Sequence, residues 1–460
     1  MDGRRYEFVI VGSGAGGATL ARELSRKGRE VLVIERGRHE AKVGAFQHCL
    51  RFYDADRLGM PRRSAEGVIL WRAFMAGGST VVSCGNATRC LEKELAELGV
   101  TLEEEFAEAE REMRVAPIAE ALLSEGSERI AWAASELGYA MEPMPKALDP
   151  VRCRRCGRCP FGCADAAKWS ALEYLEEARG SGADIMYGTR AVEVLVENGN
   201  ARGVRAVGPE GRLDLRADVV ILAAGGLGTP VILQQSRIRE AGSGLFVDLL
   251  VNTYGVTEGL NQIREPTMTL MNVEFHETKG FMLSPYVNQH RMVRFMEGGA
   301  KAAALPANRL LGIMTKTADG PAGHVFPNGK VSKPVTERDW VRLRAGSAIA
   351  GEILVKAGAE RGSILVSKPQ GAHPGGTAAV GRVVDRDLQT EVSGLFVCDG
   401  SVLPQAPGLP PILTICALAK RLAQTLAPEC RETEVSSLTL DLTGHVQRRT
   451  LSSATEGGGC

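Results

Sequence analysis

The sequence predicts an α/β protein (α+β overall), built from a Rossmann-like nucleotide-binding domain and a second domain around an antiparallel sheet. Three observations predict it. The stretch YEFVIVGSGAGGATLARELSRKGREVLVIERG has the pattern of strand, glycine-rich turn, helix and strand. The later stretch ADVVILAAGGLGTPVILQQS repeats strand, glycine-rich turn and helix. From about Phe246 to Lys368, short strand patterns alternate with turns such as FPNGK, which indicates a separate antiparallel sheet.

The N-terminal unit carries a dinucleotide-binding pattern. Gly12, Gly14 and Gly17 fit the spacing G-x-G-x-x-G, and Glu35 ends the strand that follows. The glycines allow a tight turn, close backbone approach to a pyrophosphate at the helix N-terminus, and close packing of helix on strand, while the acid binds a ribose hydroxyl. We therefore expect a bound dinucleotide, NAD or FAD, in preference to a glycine-rich turn without a ligand.

The rest of the chain divides around this unit. The stretch AVEVLVENGNARGVRAVG predicts a hairpin with an Asn-Gly turn, and TEVSGLFVCDGSVLPQAPGLPPILTICALAKRLAQ predicts a strand, a loop and a long apolar helix. We expect a discontinuous nucleotide-binding domain of residues 1–92, 164–245 and 384–428. Residues 93–163 are expected to form a helical excursion and a cysteine-rich loop, residues 246–383 a substrate domain, and residues 429–460 a poorly ordered tail.

Charge and hydropathy restrict the class of partner. Lys plus Arg number 55 and Asp plus Glu also number 55, so broad electrostatic binding to nucleic acid or an anionic membrane is not expected. The N-terminus has no signal-peptide pattern, and the longest apolar stretch, VVILAAGGLGTPVIL, is too short to span a bilayer. The sequence thus predicts a cytoplasmic protein without a transmembrane segment, acting on a small molecule.

Four further motifs carry a family resemblance. The stretches AGGSTVVSCGNATR, VVILAAGGLGTPVILQQS, GAHPGGTAAVG and GLFVCDGSVLPQAPGLPPILTICALAKRLA occur in this order. They resemble the successive signatures of the glucose-methanol-choline (GMC) flavin oxidoreductase family, and with the N-terminal motif they cover nearly the whole chain outside the middle sheet. The resemblance implies FAD bound by Gly12, Gly14, Gly17 and Glu35, a flavin lined by Gly77, Gly78, Ser79 and Thr80, and Asp399 and Gly400 near the pyrophosphate and ribityl chain.

The resemblance also implies a catalytic base. Of the seven histidines, His373 alone lies in a family-like motif, HPGGT, and it is expected to take the alcohol proton as hydride moves to flavin N5. The alternative is a core histidine with a satisfied hydrogen bond. Many members carry a second His or Asn where this chain has Pro410, and proline can neither donate a hydrogen bond nor transfer a proton. Either His373 works without a partner, or a polar group from elsewhere completes the site.

The stretch CRRCGRCPFGC places Cys153, Cys156, Cys159 and Cys163 at the spacing C-x2-C-x2-C-x3-C. This is the spacing of the bacterial ferredoxin run, and it predicts a [4Fe–4S] cluster. A tetrahedral zinc site is the main alternative, and thiols that bind nothing are a third. The fourth cluster ligand stays open, because the chain has seven further cysteines: Cys49, Cys84, Cys90, Cys398, Cys416, Cys430 and Cys460.

Together these patterns predict an FAD-dependent dehydrogenase that oxidises an alcohol and passes electrons through the cluster to an electron-transfer protein or a quinone. Three alternatives stay open. The protein could reduce or desaturate a C–C bond, it could be an oxygen-using alcohol oxidase with structural zinc, or it could carry electrons without a substrate of its own.

Overall fold

Two sheets, a mixed one and an antiparallel one, organise the computed structural model. The structure describes residues 4–56, 60–260, 262–289, 292–293, 306 and 308–428. The expected tail, residues 429–460, lies outside these residues. Residues 1–427 form one compact unit, so the division into sequence segments given above stays a prediction.

The mixed sheet holds the N-terminal unit. Its strands are β1 Arg5–Val11, β2 Val31–Glu35, β7 Asp184–Tyr187, β8 Arg190–Glu197, β9 Asn200–Gly208, β10 Gly211–Leu222 and β20 Leu395–Val397. They form a seven-stranded sheet of order β7-β2-β1-β10-β9-β8, with β20 paired to the end of β10. The pairs among β7, β2, β1, β10 and β20 are parallel, as a Rossmann-like arrangement requires. Helix α1 Ala15–Arg26 packs against β1 and β2, and the helices α6 Ala171–Gly180 and α10 Ile412–Leu426 pack against α1.

The predicted hairpin is confirmed. Strands β8 and β9 pair antiparallel and are joined by Asn198 and Gly199, whose φ angles are +50° and +76°. Positive φ at both central residues is the requirement of a type I′ turn, which Asn-Gly meets at low cost.

The antiparallel sheet expected in the middle of the chain is also present. Its strands are β3 Ile69–Leu70, β12 Leu249–Val256, β14 Phe281–Pro285, β15 Leu310–Thr317, β18 Leu365–Val366 and β19 Gln370–Gly371. The order is β14-β15-β12-β19-β3, with β18 also paired to β12. All pairs are antiparallel except the short parallel pair of β19 with β3. Strand β3 comes from the N-terminal third of the chain.

Alternation along β15 separates a packed face from an open one. Leu311 and Ile313 pack in one cluster with Ile353 and Leu354 of the helix α9 Glu337–Lys356, which begins with a capping box at Thr336. Met314 and Lys316 occupy the alternate positions of β15, so they point to the other face of the pleated strand, where they line a cavity.

The remaining elements are short. Strands β11 Ser243–Leu245, β16 Gly323–Val325 and β17 Val331–Ser332 form a third sheet, while β4 Val115–Pro117 pairs with β6 Pro145–Ala147 and β5 Glu142–Pro143 with β13 Leu270–Met271. The other helices are α2 Phe46–Cys49, α3 Glu92–Glu97, α4 Glu103–Glu112, α5 Glu125–Glu136, α7 Thr229–Gln235 and α8 Glu274–Lys279. Within the described ranges, no helix combines the length and apolarity needed to cross a membrane.

Candidate active site

A cavity of about 870 Å³ lies beyond the carboxyl ends of β1, β10 and β20 and extends to the open face of the antiparallel sheet. Ligands of parallel α/β sheets bind at this edge, because the strand ends and the following turns converge there. Nearly all of the predicted cofactor residues line this one cavity; Gly17 and Gly77 lie behind it.

The three N-terminal glycines have separate roles. Gly12 has φ +102°, and a Cβ there would lie 2.3 Å from the Ala223 carbonyl oxygen. A Cβ on Gly17 would lie 1.9 Å from the carbonyl oxygen of Gly12, so this glycine lets the helix pack on the turn. A Cβ on Gly14 would meet nothing within 4 Å, because this residue faces the cavity. The turn therefore leaves room for a ligand to approach its backbone.

Glu35 is buried at the end of β2. Its carboxylate accepts hydrogen bonds from the Ser13 backbone N–H at 3.0 Å, the Ser13 hydroxyl at 2.7 Å and the Gly37 N–H at 2.6 Å. Burial raises the pKa of Glu35, and these three donors oppose the rise. A carboxylate offers about four lone-pair sites, so one acceptor position is left for a ribose hydroxyl.

The second glycine turn, Gly77–Thr80, contacts the first. The Gly77 N–H donates to the Ser13 hydroxyl at 3.1 Å, and a Cβ on Gly78 would lie 3.1 Å from the Cα of Gly14. The Thr80 hydroxyl donates to the Gly77 carbonyl at 2.6 Å, while the Ser79 hydroxyl accepts from the Ala73 N–H at 3.1 Å. The polar side chains therefore shape the turn, and the glycine backbone stays open toward the cavity.

Asp399 joins two turns at the cavity wall. Its Oδ2 accepts from the Gly225 N–H at 2.8 Å and the Thr229 hydroxyl at 2.5 Å, and its Oδ1 accepts from the Ser401 N–H at 2.7 Å. Burial raises the pKa of this carboxyl, which the same donors oppose. The side chain thus fixes the glycine turn after β10 against Gly400, so that both turns present backbone to the cavity. Two glycine turns, the buried Glu35 carboxylate with an acceptor position left over, and this fixed wall fit FAD.

His373 lies where the antiparallel sheet meets the cavity, and its side chain is 23% exposed. Its Nδ1 lies 2.8 Å from Oδ2 of the buried Asp248, whose Oδ1 accepts from the Gly408 N–H at 2.9 Å. A carboxylate oxygen accepts, so Nδ1 carries the hydrogen and Nε2 keeps the lone pair. Burial and the charge of Lys316 lower the pKa of His373, and Asp248 opposes them. The arrangement is that of an oriented general base.

Sequence patterns missed Asp248. The residue precedes β12 with φ +51°, a left-handed conformation that Asp adopts more readily than most residues. Asp319 holds the backbone on both sides: its Oδ1 accepts from the Leu249 N–H at 3.0 Å and from the Val247 N–H at 3.3 Å. The available signal was a lone carboxylate in the apolar run LFVDLLV.

Lys316 was missed as well. It lies on β15 directly opposite Leu250, its side chain is 1% exposed, and it lines the cavity. Its Nζ is 3.8 Å from Asp248 Oδ2, and within the described residues it has no hydrogen-bond partner. Burial lowers its pKa to about 8. Pro410 also lines the cavity, as an apolar residue. The signal for Lys316 in the sequence was a lysine inside the strand-like run LLGIMTKT.

The cysteine run does not assemble a metal centre. Cys156 is exposed, Cys153, Cys159 and Cys163 are partly buried, and none is in a disulfide. Among the residues that the structure describes, no group of three or more His, Cys, Asp and Glu side chains could hold a metal ion. These residues as arranged do not fit the expected cluster or zinc ion, and no step below involves a metal.

Comparison with known proteins gives a consistent picture. Two family models, both described as GMC oxidoreductase, match residues 6–250 and 317–419. An uncharacterised protein of Methanocaldococcus jannaschii is 30% identical over 92% of this chain and 100% of its own length. An uncharacterised GMC-type oxidoreductase of Mycobacterium tuberculosis is 30% identical over 92% of this chain and 76% of its own. A long-chain-alcohol oxidase of Arabidopsis thaliana is 24% identical over 92% and 68%.

Solved structures share the fold. Pyridoxine 4-oxidase from Mesorbium loti superposes with a TM-score of 0.69 at 17% identity, covering 91% of this chain and 99% of its own. Formate oxidase superposes with a TM-score of 0.70 at 15% identity, covering 93% and 98%. At these identities the similarity establishes the architecture, including the nucleotide-binding sheet and the second sheet beside it.

Proposed function

This chain belongs to the GMC oxidoreductase family, and we propose that it uses FAD to oxidise the CH–OH group of an alcohol, with His373 as the general base. The observation that carries the proposal is that His373, held by Asp248, lines the same cavity as the two glycine turns. Bound FAD supplies the hydride acceptor of such a reaction.

Asp248 and His373 have separate roles in the proposed reaction. Asp248 accepts from Nδ1 of His373 and so fixes both the tautomer and the orientation of the ring. Nε2 then takes the hydroxyl proton of the alcohol. Because the pKa of His373 is lowered from its ordinary value of 6.5, the ring is neutral at neutral pH and is ready to accept that proton.

The substrate is proposed to carry an apolar chain. Met268, Met314 and Leu250 line the cavity and belong to one methionine-rich cluster. Methionine side chains are flexible and polarisable, so they can adapt to chains of different length. The similarity to a long-chain-alcohol oxidase supports the same substrate class.

Dioxygen is the first electron acceptor to test, because the relatives whose names state an activity on alcohols are long-chain-alcohol oxidases. An electron-transfer protein or a quinone, which the cysteine run favoured, is the other candidate. Hydrogen peroxide formed in step with product would support dioxygen, and turnover only with a quinone or a dye would favour the dehydrogenase.

The general base is tested by anaerobic flavin reduction. The FAD-loaded protein is mixed with straight-chain primary alcohols of increasing length, and the bleaching of the flavin is followed by stopped flow. We expect His373→Asn to slow bleaching by about a hundred- to ten-thousand-fold, the usual cost of losing a general base. His324→Asn is the matched control, because His324 lies on β16 and does not line the cavity.

Two results would contradict the proposal. Wild-type rates in His373→Asn would remove the histidine from the chemistry. If no alcohol bleaches the wild-type flavin while an enone reoxidises it after chemical reduction, the C–C bond reaction is the better assignment.

A further inference from the structure

We propose that Lys316 is the second polar group of the active site, where its ammonium donates a hydrogen bond to the substrate oxygen while His373 takes the proton. The inference rests on the proposed alcohol oxidation. It answers which residue replaces the His or Asn that Pro410 excludes from this chain.

The hydrogen bonds of the buried lysines set Lys316 apart. Five lysines are buried among the described residues. An ammonium has three donors, and burying it without acceptors is costly. Four of the lysines have acceptors: Cys84 O, Asn86 Oδ1 and Thr267 O for Lys146; Thr80 O and Val81 O for Lys168; Gly320 O, Pro334 O and Asp319 for Lys333; and Glu23, Glu108 and Glu112 for Lys420.

Lys316 Nζ, by contrast, has no acceptor within hydrogen-bond distance in the part of the chain that the structure describes. Lys316 lines the cavity, whereas its Nζ is itself enclosed by the protein, so we expect its donors to reach a ligand by rotation of the flexible side chain. The free energy of burying this cation is lost when the chain folds and not when a ligand binds. The charge is therefore already in place beside the cavity, as in a preorganised binding site.

The position of Lys316 follows from strand pairing. Leu250 stands directly opposite Lys316, and Asn252 directly opposite Met314, so these four side chains share the cavity face of the sheet. Asp248 lies two residues before Leu250 and carries His373 on the same Oδ2 that is 3.8 Å from Lys316 Nζ. One carboxylate therefore organises the base and the donor on one side of the cavity.

The chemistry balances with these two groups. The O–H bond of the alcohol breaks and its proton forms a bond to Nε2 of His373, while the electron pair left on oxygen becomes the second bond of the carbonyl. The C–H bond breaks, and its electron pair would leave with the hydrogen as hydride, for which FAD held at the two glycine turns would supply the acceptor. Lys316 keeps its protons throughout. It stabilises the negative charge that develops on the oxygen before the hydride has left, as oxyanion donors do.

The charged and titratable groups around Lys316 are compatible with a protonated amine. Burial and the Lys316 ammonium act on His373 in the same direction, so the lysine helps to keep the base neutral. Asp248, Cys84 and Cys90 are the other groups whose charge acts on Lys316. The pKa values of Cys84 and Cys90 are raised to about 11 and about 12 by burial, so both thiols are neutral where the donor is charged.

The test combines a rate with a binding constant. We expect Lys316→Met to slow anaerobic flavin reduction by about a hundred- to a thousand-fold, the usual effect of losing one oxyanion donor. Hexanoate, whose carboxylate mimics an alcohol oxygen with developing charge, should bind Lys316→Met about ten- to a hundred-fold more weakly than wild type, as expected for losing a charged hydrogen bond. Binding is followed by flavin absorbance. Lys356→Met, a change outside the cavity, should leave both values unchanged.

The outcomes separate this inference from the proposed function. Wild-type rates and hexanoate binding in Lys316→Met would overturn the role of Lys316 and leave alcohol oxidation intact. If no alcohol reduces wild-type flavin but hexanoate binding depends on Lys316, the reaction is wrong and the donor site stands. Should Lys316→Met fail to fold, Lys316→Gln keeps a donor without the charge and Lys316→Arg keeps the charge. Rates and affinities then ordered Lys, Arg, Gln support the proposal, and equal values reject it.

Discussion

Two buried lysine–aspartate pairs differ in the hydrogen bonds of their ammonium groups and in their position relative to the cavity. In the first, Lys333 Nζ is 2.9 Å from Asp319 Oδ2 and also donates to the Gly320 and Pro334 carbonyls. In the second, Lys316 Nζ is 3.8 Å from Asp248 Oδ2 and has no hydrogen-bond partner among the described residues. The first, saturated pair has protein acceptors for its ammonium, whereas the second, which we call the open pair, has an ammonium without an acceptor in the described part of the chain, on a lysine that lines the cavity.

The difference shows how a stable pair can support a costly one. Asp319 accepts from the backbone N–H groups of Val247 and Leu249, the two neighbours of Asp248. Asp248 itself has φ +51°, a conformation that persists where its surroundings hold it. The saturated pair thus holds the strained backbone that carries the open pair, and the aspartate of the open pair orients His373.

The largest effect is expected from breaking the open pair at its acid. In Asp248→Asn the amide can donate to Nδ1 of His373, so the hydrogen of the ring moves to Nε2 and the base is lost. The corresponding change in a serine-protease triad costs about ten-thousand-fold, and we expect about a thousand- to ten-thousand-fold in the rate of anaerobic flavin reduction. Stopped-flow bleaching with the best alcohol measures it.

Asp319→Asn is the matched control for that change. It keeps an acceptor for the two N–H groups but weakens the pair with Lys333, so we expect the unfolding midpoint to fall while the rate at low temperature changes by less than the effect at Asp248. Equal losses of rate in both variants would show that the two pairs form one catalytic unit. That result would contradict the separate roles assigned to them here.

The next largest effect is on stability. Lys333→Met leaves Asp319 buried without its cation, and breaking a buried pair on one side costs about 3–5 kcal/mol. Lys316→Met removes a cation that has no acceptor, while Asp248 keeps the His373 and Gly408 donors, so we expect its free energy of unfolding to stay within about 1 kcal/mol of wild type or to rise. Chemical denaturation of the two variants side by side measures the difference. A larger loss in Lys316→Met would contradict the distinction between the pairs.

Much of the fold could be predicted, because it rests on local patterns. Gly12 and the Asn-Gly turn at Asn198 adopt backbone conformations that few other residues adopt, Gly17 allows the helix to pack on the turn, and Gly14 leaves space at the cavity. The antiparallel sheet was predicted as a class, but its short parallel pair between β3 and β19 joins residues about 300 apart and leaves no local signal.

Less of the site could be predicted from the sequence, because its residues are also brought together from distant parts of the chain. His373 could be found because it lies in a motif, and its partner Asp248 lies 125 positions earlier along the chain. Lys316 reaches the same place by strand pairing with β12. Periodicity indicated strands here, but which lysine would have no acceptor depends on the packing of every neighbour. The cysteine run shows the opposite failure, since a strong spacing predicted a metal centre that the described side chains do not form.

The smallest effect is on the pH profile, and it distinguishes the open pair from its surroundings most sharply. The His373 base must be neutral and its pKa is lowered from 6.5, so kcat/KM should rise tenfold per pH unit only at acidic pH and level off below pH 6.5. The Lys316 donor must be charged, so the rate should fall as pH rises through its pKa of about 8. In Lys316→Arg the guanidinium stays charged, and the alkaline fall should disappear. If it persisted near pH 8, another group would be titrating, and the neighbouring thiols are poor candidates because the pKa values of Cys84 and Cys90 are raised to about 11 and 12.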